Sequence, residues 1–330
     1  MRAAALVVSS VELRRFRQRL LSWYDQHRRD LPWRRDRDPY RVWVSEIMLQ
    51  QTRVAAVLDH YARFLKRFPS VQSLAAARES SVLAAWSGLG YYHRARRMHE
   101  AAKEIVRERG GTFPQTSAEW AELPGIGRYT AAAVASIAFG EAVAVVDGNV
   151  ERVIGRLSGK PLDKAALWPG AQALLDRRRP AEFNQAMMEL GATICTPRAP
   201  QCLLCPVQAH CSSRGAGAST PQPARQRKHV DYAFAQRAES VLLVRRPADA
   251  SLMAGMWELP EIPAGQKNGH EPLATLRHSI TDTDYAVSVL AMNPDQLQDF
   301  ATEGRWCTRQ QWQRLPLTGL ARKILRKLEA

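Results

Sequence analysis

No run of eighteen apolar residues occurs in the chain, so no segment reads as a membrane-spanning helix. The opening stretch, Met1 to Ser10, has too short an apolar core, followed too soon by charge, to read as a secretory signal. A soluble cytoplasmic protein, associated with the nucleoid rather than with a membrane, is the expectation. Acidic residues are in short supply: 32 Asp and Glu stand against 47 Lys and Arg, a formal net charge of +15. Solubility of a small domain needs a magnitude of only roughly 2–8. The excess therefore points to a polyanionic partner, nucleic acid before an anionic membrane surface. No internal repeat is visible. Cysteine is scarce too, with five in 330 residues. A reduced cytosol gives such a chain little use for disulfides.

Four of those cysteines fall close together: Cys195, Cys202, Cys205 and Cys211, spaced C-x6-C-x2-C-x5-C. Thiolates so near in sequence suit one compact tetrahedral site, for zinc or for an iron–sulfur cluster. The spacing matches neither the paired C-x2-C of zinc ribbons nor the ferredoxin runs, so spacing alone leaves the metal open. Cys307 lies far from this loop and reads as a structural thiol.

Strand-like alternation is missing from about residue 11 to 212. Ile47, Val54, Val57, Leu58, Tyr61, Phe64, Leu65 and Phe68 recur at helical spacing instead. Turns are marked at 68–70, 88–90, 109–111 and 124–127. Residues 213–229 are rich in Gly, Ser, Pro and basic side chains, the composition of an extended cationic linker. Beyond it the texture changes to strands at 240–244 and 285–290 and a short basic helix from Leu320 to Leu328. The division expected is a helical domain, 1–212, a linker, and an α+β domain, 230–330.

Three segments carry candidate chemistry. Leu123-Pro124-Gly125-Ile126-Gly127-Arg128-Tyr129-Thr130 is a two-glycine turn feeding a small-residue helix. It reads either as an ordinary corner or as a phosphate site at a helix N-terminus, with Gly125 and Gly127 allowing close backbone approach. Arg128 and the positive charge favour DNA phosphate. Asp147, between an apolar run and a glycine turn, reads first as a helix cap. Glu46 lies among Val42, Trp43, Val44, Ile47, Met48 and Leu49, where burial would raise its pKa. A raised carboxyl as general acid and an ionised one as cation stabiliser is the division of labour of glycoside hydrolysis. Trp23, Trp33, Trp43 and Trp86 read as core or wall. The arginine pairs 14–15, 28–29 and 34–35 and the run 177–179 read mostly as solvated helix faces.

Together, LPGIGRYTA, VDGNVERV and the cysteine loop resemble the endonuclease III superfamily of DNA glycosylases. LPWR at 31–34, VWVSEIMLQQTRV at 42–54, WSGLGYYHRAR at 86–96 and FNQAMMELGATIC at 183–195 are similar to the MutY-type adenine DNA glycosylases. The resemblance covers about 20–212. It implies two helical lobes, a helix-hairpin-helix at about 120–140, and one 4Fe–4S cluster held by the loop 195–211. Such a cluster is expected to be structural, holding a basic loop with Arg198 against DNA phosphate. Glu46 then matches the general acid and Asp147 the carboxylate facing the oxocarbenium-like sugar. Tyr129 and Asn149 match residues lining the pocket, and Gln51 and Tyr91 match side chains pushed into the base stack on flipping.

A lysine at the position of Tyr129 would form a Schiff base; a phenol cannot. Some relatives carry a lysine after the DGNV segment, where this chain has Glu151. The resemblance thus implies a monofunctional enzyme, acting as a monomer, that removes adenine opposite 8-oxoguanine or guanine in duplex DNA. It also implies a Nudix-like lesion-reading domain at 230–330, of which the 243–261 segment with Gly255-Met256-Trp257 is similar to the family's. No Nudix box is present, so phosphohydrolase activity is not expected. Where that domain usually has Phe-Ser-His, this chain offers Ile280-Thr281-Asp282, keeping only the hydroxyl of Thr281.

Overall fold

Helices α1 (Ser10–His27), α2 (Pro39–Leu49), α3 (Val54–Arg67), α4 (Val71–Ala75), α5 (Glu79–Trp86), α6 (Tyr92–Arg109), α7 (Ser117–Ala121), α8 (Arg128–Phe139), α9 (Gly148–Ser158), α10 (Lys164–Leu174) and α11 (Pro180–Thr193) follow one another along the chain. Strands β1 (Gln226–Phe234), β2 (Gln236–Arg237), β3 (Ser240–Arg245), β4 (Trp257–Glu258), β5 (Pro272–Ile280), β6 (Thr283–Ala291) and β7 (Gly304–Thr308) come next, then α12 (Arg309–Trp312) and α13 (Gly319–Lys327). The structure, a computed structural model, describes residues 9–159, 163–214, 224–263, 271–297, 301 and 304–328. Among them no helix is long and apolar enough to cross a membrane.

By contacts the chain divides into two units. The first is Met1–Val54, Ser70–Gln72 and Glu100–Pro221; the second is Ala55–Pro69, Ser73–His99 and Gln222–Ala330. The helical stretch read as one domain is therefore shared, and 55–69 with 73–99 group with the C-terminal region.

In the first unit, local chemistry sets each helix. Ser9 and Glu12 form a capping box that starts α1, whose Phe16, Leu20 and Tyr24 fall on one buried stripe. Asp38 caps α2 and Pro39 occupies its first turn; from Val42 to Met48 every residue is buried, so α2 is a core helix with Glu46 inside it. The core joins α1 to Val150, Val153, Ile154 and Leu157 of α9, Leu167 and Leu174 of α10, and Phe183 and Met187 of α11. Each such side chain contributes about 1.5–3 kcal/mol. A few of them match the ~5–15 kcal/mol by which a domain is stable at all. That rigidity matters because α2, α8, α9 and α11 carry the candidate site.

In the second unit β1, β6 and β5 form one sheet, with β1 parallel and β5 antiparallel to β6; β3 is flanked by β2, β4 and β7 in the other. Leu320, Ile324 and Leu325 of α13 pack with Val241, Leu243, Val287, Val289 and Cys307. The helical part is tied in by polar contacts: Ser87 Oγ (2.6 Å) and Tyr92 OH (3.0 Å) both donate to the Leu317 carbonyl, and Arg322 Nε donates to Ser87 Oγ at 3.0 Å.

One expectation needs correction. Gln226–His229, read as linker, are the start of β1, paired with Thr283–Ala286. They form an edge strand whose four residues are exposed, so no apolar alternation distinguishes them from a solvated tether. The rest of the linker, 215–223, lies outside the described residues.

Candidate active site

Glu46 sits mid-way along α2 with only 6% of its surface exposed. Burial pushes its carboxyl up to about 7, and the charge of Asp147 adds to that push. A hydrogen bond from the Tyr129 phenol (OH to Oε2, 2.7 Å) and the charge of Arg34 oppose it. Tyr129 is the second residue of α8. Its own pKa is raised well above the ordinary value by burial and by Glu46 and Asp147, so the phenol remains a donor. The same hydroxyl lies 3.4 Å from Met188 Sδ on α11.

Asp147 caps α9, accepting from the backbone N–H of Asn149 (3.0 Å) and Val150 (2.7 Å) through Oδ1. The cap reading from sequence is thus what the structure shows. The cap leaves Oδ2, which accepts from Asn149 Nδ2 at 2.8 Å. Asn149 is held in turn by Arg152, whose guanidinium donates to Asn149 Oδ1 (2.7 Å) and to the carbonyls of Gly191 (2.7 Å), Cys195 (2.8 Å) and Gly148 (3.2 Å). Here α9 and α11 touch so closely that a Cβ on Gly191 would stand 2.6 Å from that of Asn149.

Glu46, Tyr129, Asp147, Asn149 and Gln51 all line one cavity of about 710 Å³. Trp33, read as core or wall, also lines it, and so do Arg29, Arg34, Gln185 and Glu189, which the sequence did not single out for the site. Glu189 of α11 is 1% exposed and accepts from Arg29 Nε (2.7 Å) and Nη2 (2.7 Å) and from Arg34 Nη2 (2.8 Å). Burial alone would raise its pKa, but these hydrogen bonds and the two positive charges bring it down to about 2. The LPWR and FNQAMMELG segments contained every one of these residues except Arg29, yet nothing local marks a partner about 160 positions away. No lysine is among the residues lining the cavity.

At the cavity edge Gln51 holds a left-handed backbone (φ 54°), a conformation unusual for a side-chain-bearing residue. Its neighbour Gln50 donates to Thr130 Oγ1 at 3.0 Å, fastening α2 to α8. The hairpin turns at Gly125 (φ 74°), and Gly127 caps α8 without a side-chain bond. Arg128 does not reach out alone: its guanidinium carbon lies 3.9 Å from the centre of the Trp168 ring. Tyr91 belongs to the second unit, with φ 49° and the Arg94 guanidinium 5.2 Å from its ring centre. Thr281 forms, with Asp282, the two-residue turn between β5 and β6 at φ 51°. Its hydroxyl donates to the Ile280 carbonyl (2.8 Å) and lies 3.2 Å from Asp282 Oδ1, so it is engaged within the turn.

The four cysteines of the loop are half-buried, and Cys195, Cys205 and Cys211 pack against the core beside α9. Burial, and to a lesser extent the other three thiols, push Cys205 up to about 11. Arg156 donates to Cys195 Sγ at 3.2 Å and to the carbonyls of Thr196 and Pro197. Among the described residues, no three His, Cys, Asp or Glu side chains draw close enough to share one metal ion.

A helical unit with a glycine hairpin and two carboxylates facing one cavity defines a class. Residues 44–166 match the family of HhH-GPD superfamily base excision DNA repair proteins. A solved structure of a thermostable thymine-DNA glycosylase aligns with a TM-score of 0.58 and 33% identity, over 61% of this chain and 96% of that one. The adenine DNA glycosylase of Schizosaccharomyces pombe is 33% identical over 79% of this chain and 72% of its own length. That of Rattus norvegicus is 40% identical over 80% of this chain. The chain belongs to the adenine DNA glycosylase family. It spans about 64% of the length of the rat relative.

Proposed function

We propose that the protein hydrolyses the N-glycosidic bond of adenine mispaired with 8-oxoguanine or guanine in duplex DNA, leaving an abasic site. The observation that carries this reading is Glu46, a buried carboxyl with a pKa near 7 at the wall of a 710 Å³ cavity. At neutral pH much of it is protonated, in the range a general acid requires. Its proton passes to the flipped adenine as the bond from C1′ to the base breaks, and the electron pair leaves with the base. The cationic sugar then faces Asp147, whose Oδ2 is oriented by Asn149. Water adds at C1′, and its proton restores the carboxyl. Tyr129 supplies a donor rather than an amine, which supports hydrolysis without a Schiff base.

Gln51 and Tyr91, both in left-handed backbone, are the side chains assigned to the base stack. Gly125, Gly127 and Arg128 are assigned to the phosphate backbone, and Thr281 to the opposite strand. Cys195, Cys202, Cys205 and Cys211 would hold a 4Fe–4S cluster. Four half-buried thiols close in sequence, one of them accepting from Arg156, are the donor set such a cluster takes. Bound there, it would cross-link the loop; the hydrolysis itself needs no electron. The test is Glu46→Gln: adenine release should fall by at least about 10²-fold with duplex binding intact. Undiminished turnover would remove Glu46 as the acid. Borohydride trapping of a protein–DNA adduct at the rate of base release would replace hydrolysis by lyase chemistry.

A further inference from the structure

Arg128 opens α8 directly after the glycine hairpin, and its side chain is exposed. Among the described residues it has no ion pair or hydrogen bond through its guanidinium. What it has is Trp168, with the guanidinium carbon 3.9 Å from the ring centre; the other arginine–aromatic stacks among the described residues run from 4.9 to 6.0 Å. Stacking of this kind occupies the face of the guanidinium and leaves its edge, with five N–H donors, available.

Trp168 does not read as a core residue. Its neighbours on α10, Leu167, Ala171 and Leu174, are the ones buried, while Trp168 itself is half-exposed beneath a charge. The helix that carries it is firmly held. One turn further on, Gln172 donates to the Ala142 carbonyl (2.8 Å) and accepts from the Ala144 backbone (2.8 Å), gripping the segment that leaves α8. The ring is thus a fixed platform beside the start of α8.

We propose that Trp168 is a positioning residue for DNA binding: it holds the Arg128 guanidinium flat, with its edge turned to a backbone phosphate beside the hairpin. A free arginine has rotamer entropy to lose on gripping a phosphate. Stacked, it has lost much of that before DNA arrives, so affinity rises without any new charge.

The proposal rests on duplex DNA being the ligand. Its test uses the full chain and a labelled duplex, with affinity measured by fluorescence anisotropy over a range of salt concentrations. Single-turnover adenine release is followed alongside. Arg128→Ala should flatten the dependence of log affinity on log salt by about 0.9, the share of one phosphate. Trp168→Ala should weaken binding about two- to fivefold. It should have no such effect when Arg128 is already alanine. Trp168→Phe, which keeps a ring face, should restore most of the affinity, and Trp168→Leu, which keeps only bulk, should not. Those two variants carry the comparison if the alanine variant folds poorly. The release rate at saturating protein should be unchanged in the Trp168 variants.

Equal weakening by Trp168→Ala with and without Arg128, wild-type affinity in that variant, an unchanged salt slope in Arg128→Ala, or slowed release at saturation in a Trp168 variant would each overturn the proposal. A wild-type chain that binds duplex with a clear salt slope but frees no adenine would sink the proposed reaction and leave this inference standing.

Discussion

The two ends of the cavity hold the same kind of side chain in opposite states. Glu46 on α2 has a phenol for a partner and stands at about 7; Glu189 on α11 has two arginines and stands at about 2. Both are buried, at 6% and 1% exposure. Burial pushes both upward, so the partner decides the outcome. A neutral hydroxyl offsets only part of the desolvation, whereas two guanidiniums with three short hydrogen bonds reverse it. One end of the cavity can give up a proton at neutral pH, and the other presents fixed, paired charge.

Replacing the paired carboxylate should have the largest effect on stability. Glu189→Gln leaves Arg29 and Arg34 without their counter-charge, and should cost about 3–5 kcal/mol in denaturant unfolding. The wild-type pair is worth most above the ordinary carboxylate pKa of 4.5 and should lose its contribution as pH falls from there towards 2. Acid unfolding of the Glu189→Gln protein should therefore lack that stretch of the pH dependence. If the variant melts as the wild type does, the pair is not what holds this wall.

The opposite sign is expected at the other end. A carboxyl raised from 4.5 to about 7 resists ionisation in the fold, so the wild type should lose stability as pH climbs from 4.5 to about 7, with the full loss present above that. Glu46→Gln removes that loss and should unfold later than the wild type at pH 9, by at most about 3 kcal/mol. A variant less stable at pH 9 would break the comparison.

Tyr129→Phe sharpens it. The phenol's hydrogen bond lowers the Glu46 pKa, so its removal should move the alkaline limb of base release to higher pH. An acid shift would mean that the phenol acts otherwise. The smallest effect lies away from both carboxylates. Thr281→Asn should relieve a β-branched residue at φ 51° and stabilise the second unit by about 0.5–1 kcal/mol. Neither limb of the pH profile should move.

Residue type and immediate neighbours carried much of this. An acid amid Val42, Trp43, Ile47 and Leu49 pointed to burial, and an aspartate before Gly148 to a helix cap. Helix spacing marked the helical stretch for the same reason: a buried stripe repeats within a few residues. What stayed hidden depends on distant partners. Arg29 and Arg34 looked like solvated pairs because their counter-ion is 160 and 155 positions along the chain. The Trp168 platform under Arg128 went unread because it stands forty residues on, and the first four residues of β1 looked like tether because an exposed edge strand buries nothing.

Gly191 bears no functional group, yet it is the gap through which α11 lets Asn149 stand where it does. To a genetic screen that scores only loss of repair, a methyl group there would look like a lesion in the chemistry itself. It would press on Asn149, and through it on the carboxylate that Asn149 orients, while the acid across the cavity stayed in place. Sequence constraint at such a position measures the tolerance of a joint, and mapping inactivating changes would overstate the size of the catalytic centre by one helix.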